Sequence, residues 1–403
     1  MAGPKKLGVF QRLYVGNGAF DIIGKRKRWY AIFGAVLLVC ILSIVLKGFN
    51  LGIDFTGGTR VQLPAQSASG EIGIEAVEES FTEAVGRDAT AVQVVGTGDS
   101  ATIQIRSETL SADEIARVKQ GLNEDLQPTG GIDTISDSAV SASWGGAITT
   151  QALIALAVFF VAVAIFLALY FELSMAIAAL VAVAHDVLIT AGIYSLVGFE
   201  VSPATVVGLL TILGFSLYDT VVVFDKVKEN TRGLLGLTRR TFGEAANLAV
   251  NQTLMRSINT SLIALLPVVG LLAIGAGLLG VGTLKDLALV QLAGMAVGAL
   301  SSIYIATPVA VDLKMRDPRY KAQAARVQAR RDNLARKAAA GEAGAEAAAA
   351  AAADESTVVE STDDEAVQAE MRREKAMAAA AGAPSRTTKP ADARRRPTGK
   401  KHR

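Results

Sequence analysis

A single cysteine, Cys40, stands in the 403-residue chain, so neither an internal disulfide framework nor a CxxC metal site can form within it. It lies in the first apolar run and reads as core filler. Histidine is nearly as scarce: one of the two is His402 at the extreme C-terminus, the other is His185. No GxxxxGKS-like loop occurs, which excludes nucleotide binding by that route. The expectation is therefore a chain without metal, cofactor or enzymatic activity of its own. Net charge is also nearly absent, at +2, but that small figure hides strong segregation.

What the chain has in abundance is apolar length. Hydrophobic residues make up 51% of it and the mean hydropathy is +0.38, values that point to an integral membrane protein. Runs of spanning length occur at about Trp29–Leu46, Ile148–Tyr170, Met175–Val197, Pro203–Phe224, Ser257–Gly277 and Leu284–Val311. Six helices are predicted. The first follows Lys25, Arg26, Lys27 and Arg28 but has a long core and no small-residue cleavage site, so it is expected to stay as an anchor.

Charge orients the set. Segment 1–28 carries seven Lys/Arg and one acid, whereas 50–143 carries five basic and fifteen acidic residues. By the positive-inside rule the N-terminus is cytoplasmic and the acidic block outside. Six spans then return the C-terminus to the cytoplasm and place loop 226–256 there, where six Lys/Arg outweigh Glu229 and Glu244. The predicted domains are an N-terminal segment 1–28, a first span 29–46, an extracytoplasmic head 50–143, spans two to six over 147–313, and a basic, Ala-rich, disordered tail 314–403.

Within the head, "TRVQL" (59–63) reads as a strand and Ile74, Val77, Phe81 and Val85 as a helical stripe. Two period-2 stretches flank a Gly-Asp turn, a hairpin signal. A capping box from Ser111 to Glu114 opens a second helix that buries Ile115, Val118, Leu122 and Leu126. "GIDTISDSAV" supplies the last strand. The order β-α-β-β-α-β is the ferredoxin-like pattern. The predicted fold class is thus a polytopic α-helical membrane protein with an α+β ferredoxin-like domain between helices 1 and 2. With neither histidine nor cysteine, the head offers nothing catalytic.

The candidate functional residues are the ionisable groups inside the spans, because a charge at the bilayer centre costs ~2.5–3.5 kcal/mol. Asp219 shares a face of the fourth helix with Thr205, Gly208, Ile212 and Ser216, with Thr220 beside it, while Asp225 falls at the boundary next to Lys226. Arg256 has Gln252, Thr253, Asn259 and Thr260 within a turn on the fifth helix. An Asp and Arg at similar depth would lower each other's cost and allow protonation to be switched by modest movement. The less favoured alternatives are a structural carboxylate for Asp219 and a topology anchor for Arg256. His185 and Asp186, in the third helix, suit either proton movement or interhelical bonding. Gly294, Gly298 and Ser302 give a small-xxx-small packing ridge in the sixth.

Taken in order, "GIDFTGG" (52–58), "AHDV" (184–187), "GFSLYDTVVVFDKVKEN" (214–230), "VNQTLMRSINTS" (250–261) and "SSIYIATPV" (301–309) resemble the SecF family of protein-export membrane subunits. That family belongs with SecD in the resistance-nodulation-division superfamily. The resemblance implies a subunit that works with SecD beside the SecYEG channel in the plasma membrane, with YajC and SecA as further partners, and that uses proton flow to promote preprotein translocation. It puts the proton relay at Asp219 and Arg256, and the motif after the first helix at Asp54, Phe55, Thr56, Gly57 and Gly58. Tyr218 stands where the family leads one to expect Asn. No nucleic-acid partner is expected beyond weak contacts of the basic tail. The other readings are a non-conducting scaffold of the translocon and one half of a small-molecule or lipid exporter.

Overall fold

The computed structural model describes residues 20–68, 70–279 and 282–339. Six helices among them are long and apolar enough to cross a membrane. They run Arg26–Lys47, Ala142–Tyr170, Leu173–Val197, Pro203–Asn230, Phe242–Gly270 and Gly282–Ser301. The fifth continues through π-helical turns at Leu271–Leu278. The sixth passes through a π-helical segment at Ser302–Ala306 and resumes as Thr307–Lys314. The second helix opens at Ala142, several residues before its apolar run, because the Ser141 hydroxyl caps the amide of Trp144. The fourth opens on a capping box between Ser202 and Thr205 with Pro203 in its first turn.

Small residues let these helices approach closely. A Cβ on Gly294 would lie 2.5 Å from Ile212, and one on Gly298 would lie 2.9 Å from Ser216. The ridge read from the sequence therefore packs on the fourth span. Between the first and third spans, a Cβ on Gly192 would fall 2.1 Å from that of Cys40, which is buried as core filler should be. Arg26 and Tyr30 of the first span both bond Asp312 of the sixth, at 2.7 and 3.0 Å.

Strands β1 (Gly58–Pro64), β2 (Ala91–Val95), β3 (Thr102–Ser107) and β4 (Ser136–Val140) form one head sheet in the order β4-β1-β3-β2. Every neighbour is antiparallel. Helices α1 (Ile74–Val85) and α2 (Ala112–Leu126) cover the sheet. Register is set by alternation: Val61 and Leu63 on β1 pair with Ile105 and Ile103 on β3 and point into the core with Phe81, Val118 and Leu122. A one-residue slip would turn this apolar set outward. Ile74 stays half exposed, because the first residue of α1 lies at the edge of the core. The Ser111–Glu114 capping box is present on both sides, and the backbone bond from Ser111 holds the Glu114 carboxyl below its ordinary range.

Residues 50–58 join the head to the spans. Asn50–Leu51 pairs in parallel with Glu200–Val201, and the helical turn Ile53–Thr56 packs on the start of the second span. Gly145 there is so close that a Cβ would lie 2.5 Å from the Phe55 carbonyl. Gly57 has φ +76°, and its Cβ would meet the Ala142 backbone at 2.7 Å. Gly58 has φ +132°, and its Cβ would fall 2.5 Å from the Ser107 carbonyl. Only glycine satisfies both the left-handed backbone and the contact. Gly57→Ala should therefore cost about 1–3 kcal/mol, read as a lowered thermal midpoint of the purified full-length protein. Gly146→Ala, which meets nothing within 4 Å, should leave it unchanged.

The tail from residue 314 reads from the sequence as disordered or transiently helical, and its first part, Pro318–Ala339, is helical, as its many Ala and Arg residues favour. Among the described residues, 232–241 and 322–339 group as a second unit. Within it, the Gln323 side chain donates to the carbonyls of Leu237 and Arg240 at 3.0 and 2.7 Å. The rest of the expected tail, 340–403, and residues 1–19 lie outside the described residues.

Candidate functional site

Asp219 is 3% exposed. It reaches the interior because Gly208, Ile212 and Ser216, on the same face of the fourth helix, are buried with it. Its Oδ1 accepts from Ser257 of the fifth span at 2.6 Å, and its Oδ2 from Ser302 of the sixth at 2.5 Å. Asp186, 1% exposed, repeats the arrangement one helix away. Its Oδ2 accepts from Ser216 at 2.5 Å and Ser301 at 2.8 Å, while its Oδ1 lies 3.2 Å from Nδ1 of His185. The adjacent residues Ser301 and Ser302 thus hold one carboxylate each.

No Lys or Arg pairs with either carboxylate among the described residues. Arg256, the expected partner of Asp219, is exposed on the fifth span, and its neighbour Ser257 takes the place facing Asp219. Adjacent helical residues point about 100° apart, so only one of the two can turn toward the fourth span. Asn259 is exposed and Thr260 half-buried; the hydrogen bonds to Asp219 come from Ser257 and Ser302 instead. Thr220 is buried but bonds back to the Ser216 carbonyl of its own helix at 3.0 Å. Tyr218 is 51% exposed and faces away from Asp219. Asp225 is exposed at the helix end, with the Tyr170 hydroxyl 3.4 Å away.

A serine hydroxyl can donate to a carboxylate or accept from a carboxylic acid. Four of them around two buried carboxyl groups therefore satisfy either protonation state. A buried carboxylate with no Lys or Arg beside it is costly, and the four hydroxyls are what satisfy its oxygens here.

A second polar cluster, missed in the sequence, joins head to spans. Glu200, between the third and fourth spans, is buried and accepts from Arg60 of β1 at 3.0 Å and Gln93 of β2 at 3.1 Å. Arg106 of β3 lies 3.7 Å from the same carboxylate and donates to the Leu51 carbonyl and the Asn50 side chain. Asp54, from the motif after the first helix, approaches Arg60 at 3.8 Å. Phe55 is buried, and the Thr56 hydroxyl donates to the Gly52 carbonyl at 3.2 Å. The cluster borders a cavity of about 320 Å³ whose lining includes Asp54, Gln104 and Asp286. No group of three or more His, Cys, Asp or Glu placed to hold a metal ion occurs among the described residues.

The fold and site together define a multi-pass membrane protein with a domain inserted after its first span and buried, serine-bonded carboxyl groups between its helices. A family model described as "Protein export membrane protein SecD/SecF, C-terminal" matches residues 121–316, and one described as "SecD/SecF GG Motif" matches 42–69. Protein translocase subunit SecF of Mycobacterium tuberculosis (strain ATCC 25618 / H37Rv) is 53% identical over 327 residues, 80% of this chain and 73% of the relative. Protein translocase subunit SecDF of Thermus thermophilus is 33% identical over 309 residues, 75% of this chain and 40% of that one. A crystal structure of SecDF, titled a translocon-associated membrane protein, superimposes with a TM-score of 0.63 at 31% identity, covering 73% of this chain and 38% of that one. The chain belongs to the SecF family. It spans about two-fifths of the SecDF chains it matches.

Proposed function

We propose that the protein is a subunit of the Sec accessory complex that pairs with SecD and uses the proton-motive force to promote preprotein translocation. The observation that carries this reading is Asp219, buried between three spans and held by serine hydroxyls alone. A carboxyl group so placed can bind and release a proton without losing its hydrogen bonds. Charge moving across the membrane supplies ~2.3 kcal/mol per 100 mV, enough to bias a two-state movement of the head. The strand order of the head supports a ferredoxin-like class, and the charge segregation of the sequence supports a head outside with both termini cytoplasmic.

The partner reading draws on two further observations. SecD and SecF are fused in the Thermus thermophilus relative, and Arg256 and Asn259 lie exposed on a span whose apolar neighbours Ile258, Leu262 and Ile263 are exposed too. Such polar groups are costly against lipid, and burial against spans of SecD would remove the cost. SecYEG, YajC and SecA remain the partners that the family resemblance suggests. The relatives are protein translocase subunits, which gives no support to an exporter half. A non-conducting scaffold is the reading to separate by experiment. In membrane vesicles holding the complex, collapsing the proton gradient at fixed ATP should lower export; export indifferent to the gradient would favour the scaffold.

A further inference from the structure

The reading above uses Asp219 and leaves a second buried carboxyl group without a task. Asp186 and His185 are each more than nine-tenths buried. The imidazole turns Nδ1 to Asp186 at 3.2 Å, while its buried Nε2 has no hydrogen-bond partner among the described residues. An imidazole with one nitrogen on a carboxylate and the other free is arranged to pass a proton through.

The serines supply the rest. Ser301 lies 2.8 Å from Asp186 Oδ2 and 3.2 Å from the Gly298 carbonyl. Its single proton can serve only one of them. With Asp186 ionised, Ser301 donates to the carboxylate; with Asp186 protonated, the acid donates to Ser301, which turns its own proton to Gly298. Ser302 has the same choice between Asp219 at 2.5 Å and the Ala299 carbonyl at 3.1 Å. Both sit where the sixth helix changes to π winding, a departure found often at functional sites. Structural crosslinking of helices would need one such bond, not two adjacent hydroxyls with alternative acceptors.

We propose that Asp186, loaded through His185, is a second proton-carrying carboxyl group, coupled to Asp219 by Ser301 and Ser302 of the sixth span. The proton enters at Nε2 of His185, the Nδ1 proton passes to Oδ1 of Asp186, and the imidazole is left neutral with Nε2–H; a half-turn of the carboxyl group about Cβ–Cγ then carries that proton round to face Ser301. One proton has moved and nothing else is consumed. The groups facing this pair are Phe33 of the first span, edge-on to the imidazole, Ser216 of the fourth, and Ser301 of the sixth. Neutralising Asp186 releases Ser301 and so alters the stretch of the sixth helix that presents Ser302 to Asp219.

This inference rests on proton coupling through Asp219, and its test keeps the two apart. Asp186→Asn retains an acceptor oxygen for the serines and should fold. Full-length protein with its SecD partner would be studied by infrared difference spectroscopy between acidic and alkaline pH, and gradient-dependent export measured in vesicles. The wild type should show a carboxylic-acid band that Asp186→Asn removes and that Asp219→Asn shifts. Export by Asp186→Asn should fall to the level measured without a gradient, and Asp186→Glu should restore part of it. Lack of an Asp186 band at any pH, or one indifferent to Asp219→Asn, overturns the coupling. Full gradient-driven export by Asp186→Asn beside an inactive Asp219→Asn overturns the role of Asp186 alone. Full activity of both variants overturns the proton reading with it.

Discussion

Asp219→Asn should leave the protein folded, membrane-inserted and bound to its partner, yet reduce export to the level seen without a gradient. The amide is nearly the same size as the carboxyl group, offers one oxygen to Ser257 or Ser302, and can donate to the hydroxyl left over. Packing around it is therefore kept. What is lost is the ability to carry a proton. If one charge per cycle crosses 100 mV, the forfeited drive of ~2.3 kcal/mol corresponds to a factor of about 50 in the equilibrium between two states. Asp219→Glu should retain part of the function, since the charge-carrying group remains but is displaced by a methylene. Replacing Ser257 and Ser302 together by Ala should fall between the two, because it removes both donors to Asp219 while leaving the proton carrier.

Arg106→Leu should produce the largest loss of stability of any change outside the spans. It removes one cation from a buried cluster and leaves Glu200 with Arg60 and Gln93 only. It also strips the Leu51 carbonyl and the Asn50 side chain of their donor. Glu200 keeps Arg60, so the cost comes from the weakened charge pairing and from part-buried acceptors left without a donor, about 1–3 kcal/mol. Since Glu200 belongs to the spans and Arg106 to the head, the loss should localise to their junction. Limited proteolysis should cut near residues 50–58 in Arg106→Leu at temperatures at which the wild type is intact. Arg106→Lys, which keeps the cation but not the two donors to Leu51 and Asn50, should recover part of the loss.

The two clusters differ in how far they can be read from the chain. The apolar runs locate the six spans because a helix in lipid must satisfy its own backbone and present apolar side chains along its whole length. The face of Asp219 follows from helical spacing, and the capping box of Ser111 and Glu114 is a four-residue pattern complete in itself. Ser257 and Ser302 were less legible. Beside Arg256, Ser257 looks like filler, and within the ridge of Gly294 and Gly298, Ser302 looks like a packing residue. Which of two adjacent residues turns to the fourth helix depends on helix rotation, set by packing across several spans. Glu200 leaves even less signal. Its partners Arg60 and Gln93 lie 140 and 107 residues away, and a lone acid after a span reads as a boundary residue. Arg256 was read by proximity of depth to Asp219, but depth fixes only one of the two coordinates a contact requires.

Arg256 and Asp219 also differ in what surrounds them. A buried carboxyl group among hydroxyls can work within one chain, whereas an exposed guanidinium on a span needs another surface. Arg256→Gln is thus expected to affect pairing with SecD as well as coupling.

The most direct test is proton flux across vesicles containing the protein with its SecD partner, wild type against Asp219→Asn at matched content. The wild type should pass protons under an imposed gradient when preprotein is being exported, and Asp219→Asn should show only the background leak. Equal flux in the two would contradict the assignment of Asp219 as the coupling group.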